Sequence, residues 1–437
     1  MDHLNPEPGD RFLVRPSGAL HGTICVGGAK NSALKLMAAC LLAEGRHVLS
    51  GVPRIVDVEI MADLLSAIGV RVERLEDPDG GGPGDLAIHT PASLVAEAPY
   101  ELVEKLRASI VVLGPMLARS GFARVSLPGG DDFGNRPVDI HLNALSAMGA
   151  SFETVHGYIE GNVPRGSAAR GRLVGSRVVF EYPSHTATDN VLMAAVLAKG
   201  TTVIENAARE PEVVDLAAFL TDMGARIKGA GTSLVEVEGV EELAPATHRV
   251  VPDRVVASTF LAAVGLAGGD VVVADARADY MDMLLRKLSS MGLEVAQTPE
   301  GLRAVADRRL HSVDVATLPY PGVATDYEPF LVTMLSVADG VGIVTENLFT
   351  GRFRYVDELR RMGADIRTEG HHAVVRGVEC LSGARVRAFD LRAGAALVLA
   401  GLVAEGETVV SEARHVDRGY EDLAGKLRSL GADVTRT

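Results

Sequence analysis

Six short segments of the chain gather residue types that bind anions or move protons. Gly27-Gly28-Ala29-Lys30-Asn31-Ser32 is a glycine-rich turn that leads into an apolar stretch from about Ser32 to Leu42. Such a turn presents backbone N–H groups and a lysine near a helix N-terminus, where an anion is favoured. The glycine spacing and Lys-Ser/Thr ending of a Walker loop are missing, so an ordinary turn with an exposed Lys30 is the alternative. Leu127-Pro128-Gly129-Gly130-Asp131-Asp132-Phe133-Gly134-Asn135-Arg136-Pro137-Val138-Asp139 is longer and turn-rich. Its glycines permit motion, its acids can exchange protons and Arg136 suits phosphate, although a solvated surface loop has the same composition.

The other four lie in the C-terminal half. Thr325-Asp326 follows the break Leu318-Pro319-Tyr320-Pro321-Gly322 and precedes an apolar helix beginning near Pro329. Asp326 is either a helix cap, the better local reading, or a general base. Glu346-Asn347-Leu348-Phe349-Thr350-Gly351-Arg352-Phe353, Asp390-Leu391-Arg392-Ala393-Gly394 and Asp417-Arg418-Gly419-Tyr420-Glu421 each set an arginine beside a glycine or a helix start. Three guanidinium groups converging on one cleft would suit a small dianion; as separate surface salt bridges they would contribute little. His371-His372 has no nearby third ligand and reads as a turn, not a metal site.

The elements that must position these residues follow an internal repeat. Leu-x-x-Ile/Met/Leu-Gly recurs with its glycine at Gly69, Gly149, Gly224, Gly292, Gly363 and Gly431, in steps of 80, 75, 68, 71 and 68 residues. Each glycine follows an amphipathic stretch and precedes alternating residues, as a left-handed helix-ending glycine that releases a strand does. A second glycine lies upstream in each copy, at Gly45, Gly200, Gly269, Gly340 and Gly406, with Gly121 a looser match. The unit is helix, Gly, strand, connection, helix, Gly, strand. Units of this size are too large for a short-repeat solenoid and predict small sheets with helices packed on them. Asn190–Leu197 and Ala395–Val403 are almost free of charge and read as helices buried on nearly all sides. Six copies divide into two domains of three with a cleft between them.

The bulk numbers agree with a globular protein of two or three domains: 437 residues, 47% hydrophobic and 23% charged. Aromatics are 4% and Trp is absent, so the cores must be built from Ala, Val, Leu and Ile. A net charge of −14 argues against a nucleic-acid binder but allows one cleft made positive by a few arginines. Cys25, Cys40 and Cys380 are far apart and read as reduced, buried thiols of a cytoplasmic protein. The first ten residues lack a basic region followed by an apolar one, and no run of about 18 apolar residues predicts a membrane span.

Taken together, Gly-Ala-Lys-Asn at 28–31, Arg-Ala-Ser at 107–109, Arg-Pro-Val-Asp at 136–139, Asn-Ala-Ala-Arg-Glu-Pro at 206–211, Thr-Asp at 325–326, Asp-Leu-Arg-Ala at 390–393 and Asp-Arg-Gly-Tyr-Glu at 417–421 resemble the enolpyruvyl transferases. The match runs from about Phe12 to Val434 and includes the six repeats. The resemblance implies a two-domain inside-out α/β barrel, with residues 1–28 plus 251–437 as one domain and 29–250 as the other. It also implies that the domains close over substrate with the 127–137 loop as a lid.

Carried over by position, the resemblance implies that Lys30, Arg136, Arg352, Arg392 and Arg418 hold phosphoenolpyruvate. Asn31, Arg107, Arg136, Pro137, Val138, Asp139, Ile140, Ser184, His185, Thr186, Asp326 and Leu348 would face a uridine-containing acceptor, with Asp326 as base. Lys30, Asp131, Asp326 and Arg418 would take part in the reaction, an addition followed by elimination of phosphate with no metal or organic cofactor. The acceptor would be the UDP-sugar of cell-wall synthesis, UDP-N-acetylglucosamine, or UMP in a nucleoside-antibiotic pathway; a non-catalytic nucleotide-sugar binder is the third possibility. Three departures bear on this. Asp131 stands where the lid of most members has a cysteine, which implies resistance to the epoxide fosfomycin. Ser184-His185-Thr186 stands where Val-Gly would follow the serine, and Glu328 stands where glutamine is usual.

Overall fold

The computed structural model describes residues 10–75, 84–129, 138–164 and 171–437. It separates into two units: a terminal unit of the described residues up to Gly27 together with Pro252–Thr437, and a central unit of the described residues between Gly28 and Val251. Each contains three four-stranded sheets with one shared topology, an outer strand parallel to the second and two further antiparallel strands.

In the central unit the sheets run Thr247–Arg249, Gly45–Ser50, Leu86–Thr90, Arg71–Arg74; Glu97–Ala98, Phe122–Ser126, Tyr158–Asn162, Ser151–Val155; and Arg177–Val179, Thr201–Glu205, Leu234–Glu238, Arg226–Lys228. The terminal unit has Leu20–Cys25, Gly269–Ala274, Gly301–Ala306, Glu294–Gln297 and Val315–Ala316, Val341–Thr345, His372–Arg376, Asp365–Glu369. Its third sheet is Arg385–Arg387, Thr408–Ser411, Arg11–Arg15, Asp433–Arg436. The strand nearest the start of the chain therefore completes the last repeat.

The glycine marks of the repeat are backbone requirements. Gly69, Gly149, Gly224, Gly292, Gly363 and Gly431 have φ between 91° and 106°, and the upstream set, Gly121 included, is also at positive φ, a region other L-residues enter at a cost. Each repeat supplies one helix to the middle of its unit. In the terminal unit these are Arg254–Ala267, Glu328–Val337 and Leu391–Gly401; in the central unit they are Lys30–Ala39, Leu113–Ser120 and His185–Ala195. All eleven residues of Leu391–Gly401 are buried. Such helices require small side chains: a Cβ on Gly114 would lie 2.3 Å from the Asn190 carbonyl oxygen of the neighbouring helix, so packing at this crossing excludes even alanine.

Two local readings are corrected. The helix expected from Asn190 begins at His185 and contains the fully buried Asp189, because a lysine on another helix compensates the charge. Of the three cysteines only Cys40 is buried; Cys25, the last residue of the strand Leu20–Cys25, and Cys380, just ahead of Leu381–Ser382, are exposed thiols. Among the described residues no helix is long and apolar enough to cross a membrane.

Candidate active site

In the terminal unit the three middle helices pack pairwise, and side chains from their N-terminal ends meet. The ends are held by acids. Asp253 Oδ1 accepts from the N–H groups of Val255 and Val256 at 2.8 and 2.9 Å, and Asp390 Oδ1 from those of Arg392 and Ala393 at 2.8 and 2.9 Å. Glu346 accepts from the N–H groups of Leu348 and Phe349 and from the Thr325 hydroxyl. These carboxylates are engaged with backbone, which fixes the segments carrying the arginines.

Asp326 does not occupy the cap position: it lies in the short turn Thr325–Tyr327 ahead of the helix, whose N-cap is Tyr327. The local reading is overridden by tertiary structure: Arg352 Nη2 lies 3.7 Å from its Oδ1 and Arg392 Nε 3.6 Å from its Oδ2. Both arginine side chains are almost fully buried, while Asp326 is 30% exposed. Separations near 3.6 Å exceed the 2.7–2.9 Å of a charge-assisted hydrogen bond, so the arginine field is not saturated by this carboxylate. Arg352 Nη2 also donates to the Thr325 carbonyl at 3.3 Å. The Tyr420 ring lies under the Arg392 guanidinium at 5.4 Å, and half-buried Arg418 is two residues before Tyr420. Burial opposes the charge on Arg392, yet Tyr420, Asp326 and Asp253 raise its pKa overall.

Beside this cluster lies Glu328, fully buried. Its Oε1 accepts from the Tyr355 hydroxyl at 2.9 Å and its Oε2 is 3.9 Å from Arg352 Nε. Burial pushes the carboxyl up to about 8, against the pull of Arg352 and of the Tyr355 hydrogen bond.

In the central unit Lys30, the first residue of its helix, pairs with buried Asp57 at 2.6 Å. Asn31 is partly exposed and Ser32 donates to Asp215. One turn further on, Lys35 Nζ lies 2.9 Å from Asp189 Oδ2 and 3.0 Å from His185 Nδ1. His185 opens the helix whose N-cap is Ser184. Thr186 Oγ1 meets His141 Nε2 at 3.5 Å, and the Asn190 amide nitrogen donates to His141 Nδ1 at 3.0 Å. That donation makes Nδ1 an acceptor and therefore a neutral ring; burial, then Arg107, hold the pKa of His141 down at about 4. Arg107 donates to the Pro128 carbonyl at 3.1 Å. Val138, Asp139 and Ile140 form the entry to the helix Asp139–Ala147.

The sequence-predicted residues are thus divided between the units. In the terminal unit Asp326 lies with Arg352 and Arg392, with Leu348 and Arg418 on nearby segments. In the central unit Lys30 and Asn31 open one helix, Ser184, His185 and Thr186 begin another, and Arg107, Val138, Asp139 and Ile140 stand on further segments. Asp131, Arg136 and Pro137 lie outside the described residues. Sequence reasoning missed Asp57, Lys35 and Asp189. A charged residue inside an otherwise apolar helix was the available signal, since such a charge needs a partner. Among the described residues no group of three or more His, Cys, Asp or Glu is arranged to hold a metal ion, and His371 and His372 sit at a hairpin turn with rings 4.2 Å apart.

The family model for EPSP synthase (3-phosphoshikimate 1-carboxyvinyltransferase) matches residues 14–427. The chain is 47% identical to UDP-N-acetylglucosamine 1-carboxyvinyltransferase 1 of Symbiobacterium thermophilum over 430 residues, 98% of this chain and 96% of that protein. It is 49% identical to the UDP-N-acetylglucosamine 1-carboxyvinyltransferase of an Anaeromyxobacter species over 427 residues, 98% of this chain and 99% of that one. Its fold is that of the enolpyruvyl transferase NikO from Streptomyces tendae, with a TM-score of 0.85 at 24% identity, covering 98% of this chain and 99% of that one.

Proposed function

The chain belongs to the EPSP synthase family of carboxyvinyltransferases, and on that premise we propose that it moves the carboxyvinyl group of phosphoenolpyruvate onto the 3-hydroxyl of UDP-N-acetylglucosamine, releasing phosphate. The names of the relatives, 47% and 49% identical over 98% of this chain, support the acceptor. The observation that carries the chemistry is Asp326, partly exposed and set 3.6–3.7 Å from two buried arginines. A carboxylate so placed takes a proton from a hydroxyl while the guanidinium groups hold the anionic donor.

The reaction proceeds in two steps. A proton adds to the methylene carbon of phosphoenolpyruvate while the acceptor oxygen, losing its proton to Asp326, bonds to the neighbouring carbon. The resulting tetrahedral adduct then loses a proton from the new methyl group and expels phosphate, which restores the double bond. Arg352, Arg392 and Arg418 stabilise the charge that develops on the donor. By resemblance Lys30 takes its phosphate, and Asn31, Arg107, Val138, Asp139, Ile140, Ser184, His185, Thr186 and Leu348 contact the acceptor. Asp131, Arg136 and Pro137 complete the set by resemblance alone, Asp131 as the acid that delivers the proton. No metal or organic cofactor enters this scheme, which we place in the cytoplasm as a step of peptidoglycan synthesis.

Phosphate release from phosphoenolpyruvate, measured with UDP-N-acetylglucosamine and separately with UMP, tests the reading. Turnover with the UDP-sugar supports it. Turnover only with UMP moves the enzyme to nucleoside chemistry and makes His185 and Thr186 the residues that choose the acceptor. Binding of either ligand without turnover and without any dependence on phosphoenolpyruvate overturns the catalytic reading.

A further inference from the structure

We infer that Glu328 is a positioning residue whose proton governs how strongly Arg352 holds phosphoenolpyruvate. The inference rests on the proposed role of Arg352 and extends it to a residue that does not itself face the donor. Asp326 and Glu328 are two residues apart and approach the same guanidinium, at 3.7 Å on Nη2 and 3.9 Å on Nε. Asp326 is partly exposed; Glu328 is enclosed. Among the described residues Oε2 of Glu328 has no hydrogen-bond partner, and its other oxygen is held by the Tyr355 hydroxyl.

An ionised carboxylate with one oxygen in that position is costly unless it draws on Arg352; a protonated one leaves the guanidinium to Asp326 and to an incoming anion. Burial favours the protonated form at neutral pH. The proton therefore sets the effective charge that Arg352 offers.

The other titratable groups around Glu328 do not supply the same switch. Glu346 and Asp390 are committed to backbone N–H groups. From the helix Arg254–Ala267 come Arg254, which donates to the Tyr327 hydroxyl, and the capping Asp253. From Leu391–Gly401 comes Arg392, directed at Asp326 with Tyr420 beneath it. The strand His372–Arg376 contributes His372 and Arg376, both exposed. Tyr355, buried beside Glu328, has its pKa raised well above the ordinary value by burial.

The consequence is a linkage. Ionisation of Glu328 weakens the donor's hold, and by reciprocity bound phosphoenolpyruvate keeps Glu328 protonated to higher pH. The test is the KM for phosphoenolpyruvate between pH 6.5 and 9, from phosphate release at saturating acceptor. In the parent enzyme this KM rises by roughly fivefold or more as pH passes about 8, within the range usual for such coupling, while the KM for the acceptor does not follow it. Glu328→Gln removes the titrating group, and the rise shrinks to within about twofold. Tyr355→Phe removes a hydrogen bond that favours the ionised carboxylate, so the rise moves to higher pH. It serves as the second variant should E328Q fold poorly. An unchanged rise in E328Q, a parent profile with no rise, or a rise that Y355F leaves in place overturns the inference while the transferase reading stands. Absence of phosphate release at every pH with every acceptor sinks both.

Discussion

The two units solve the problem of buried positive charge differently. In the terminal unit two arginines share Asp326 at 3.6 and 3.7 Å, and the nearby acids are occupied: Asp253, Asp390 and Glu346 hold backbone N–H groups, and Glu328 is driven toward its neutral form. In the central unit the two buried lysines each have a buried aspartate at close range, Lys30 with Asp57 at 2.6 Å and Lys35 with Asp189 at 2.9 Å. The first arrangement places two guanidinium groups around one partly exposed carboxylate. The second holds each lysine by its own aspartate: Asp57 fixes Lys30, whose side chain keeps 10% exposure for the donor, whereas Lys35 and Asp189, both enclosed, tie one helix to another.

Asp326→Asn is the largest expected effect and the most direct way to break this comparison. It keeps the shape and removes the base, so kcat should fall by about 10²–10⁴. Unfolding in urea should change far less than turnover, because Asp326 is 30% exposed and stands 3.6–3.7 Å from the two arginines. A D326N enzyme with near-parental kcat would place the base elsewhere and leave the arginine pair without its assigned partner.

Lys35→Met tests the other half. It leaves Asp189, fully buried, without its cation, which should cost about 3–5 kcal/mol in stability. Lys35→Met combined with Asp189→Leu should be less destabilised than K35M alone, since the uncompensated charge is gone. If the double variant is worse by the sum of both single losses, the pair is not the coupled structural tie described above.

How much of this was legible beforehand depended on where each cause acts. The six helix-ending glycines could be read because the cause is local: a left-handed residue must follow the helix, and glycine is the residue that adopts it freely. The grouping of Asp326 with Arg352 and Arg392 is a contact between segments 26 and 66 residues apart. The local rules favoured a cap for Asp326, and resemblance, not spacing, brought the three together. Lys35 and Asp189 stayed unread because each is a single charge in an apolar stretch of a different repeat. Their pairing exists only once the helices Lys30–Ala39 and His185–Ala195 share one core.

His141 gives the next smaller effect and shows a buried position of the central unit that is kept neutral. Its pKa is held near 4, below the ordinary 6.5, by burial and then Arg107. A group whose folded pKa is depressed contributes stability that is present above its unfolded pKa and lost as pH falls toward the folded one. Between pH 6.5 and 5 this one residue should therefore remove about 1.5 kcal/mol. His141→Gln should flatten that part of the stability curve by a similar amount. A parent and H141Q with parallel curves would mean that the ring already accepts a proton in the fold.

The smallest effect compares the helix caps. Asp253 and Asp390 each take two N–H groups at 2.8–2.9 Å, whereas Ser184 takes one, from Ala187, at 3.4 Å. Cap removal spans about 0.5–2 kcal/mol, so Ser184→Ala belongs at about 0.5 and Asp253→Ala near 2. The reason is the neighbourhood as well as the bond. Asp253 is a charge among arginines, while Ser184 is a neutral hydroxyl ahead of His185, which Lys35 and Asp189 already hold. Urea midpoints at matched slopes measure both. If S184A costs as much as D253A, the hydroxyl is bearing part of the load assigned to the Lys35–Asp189 pair. The start of that helix would then depend on its cap, and the contrast between the two units would narrow to Asp326 and its arginines.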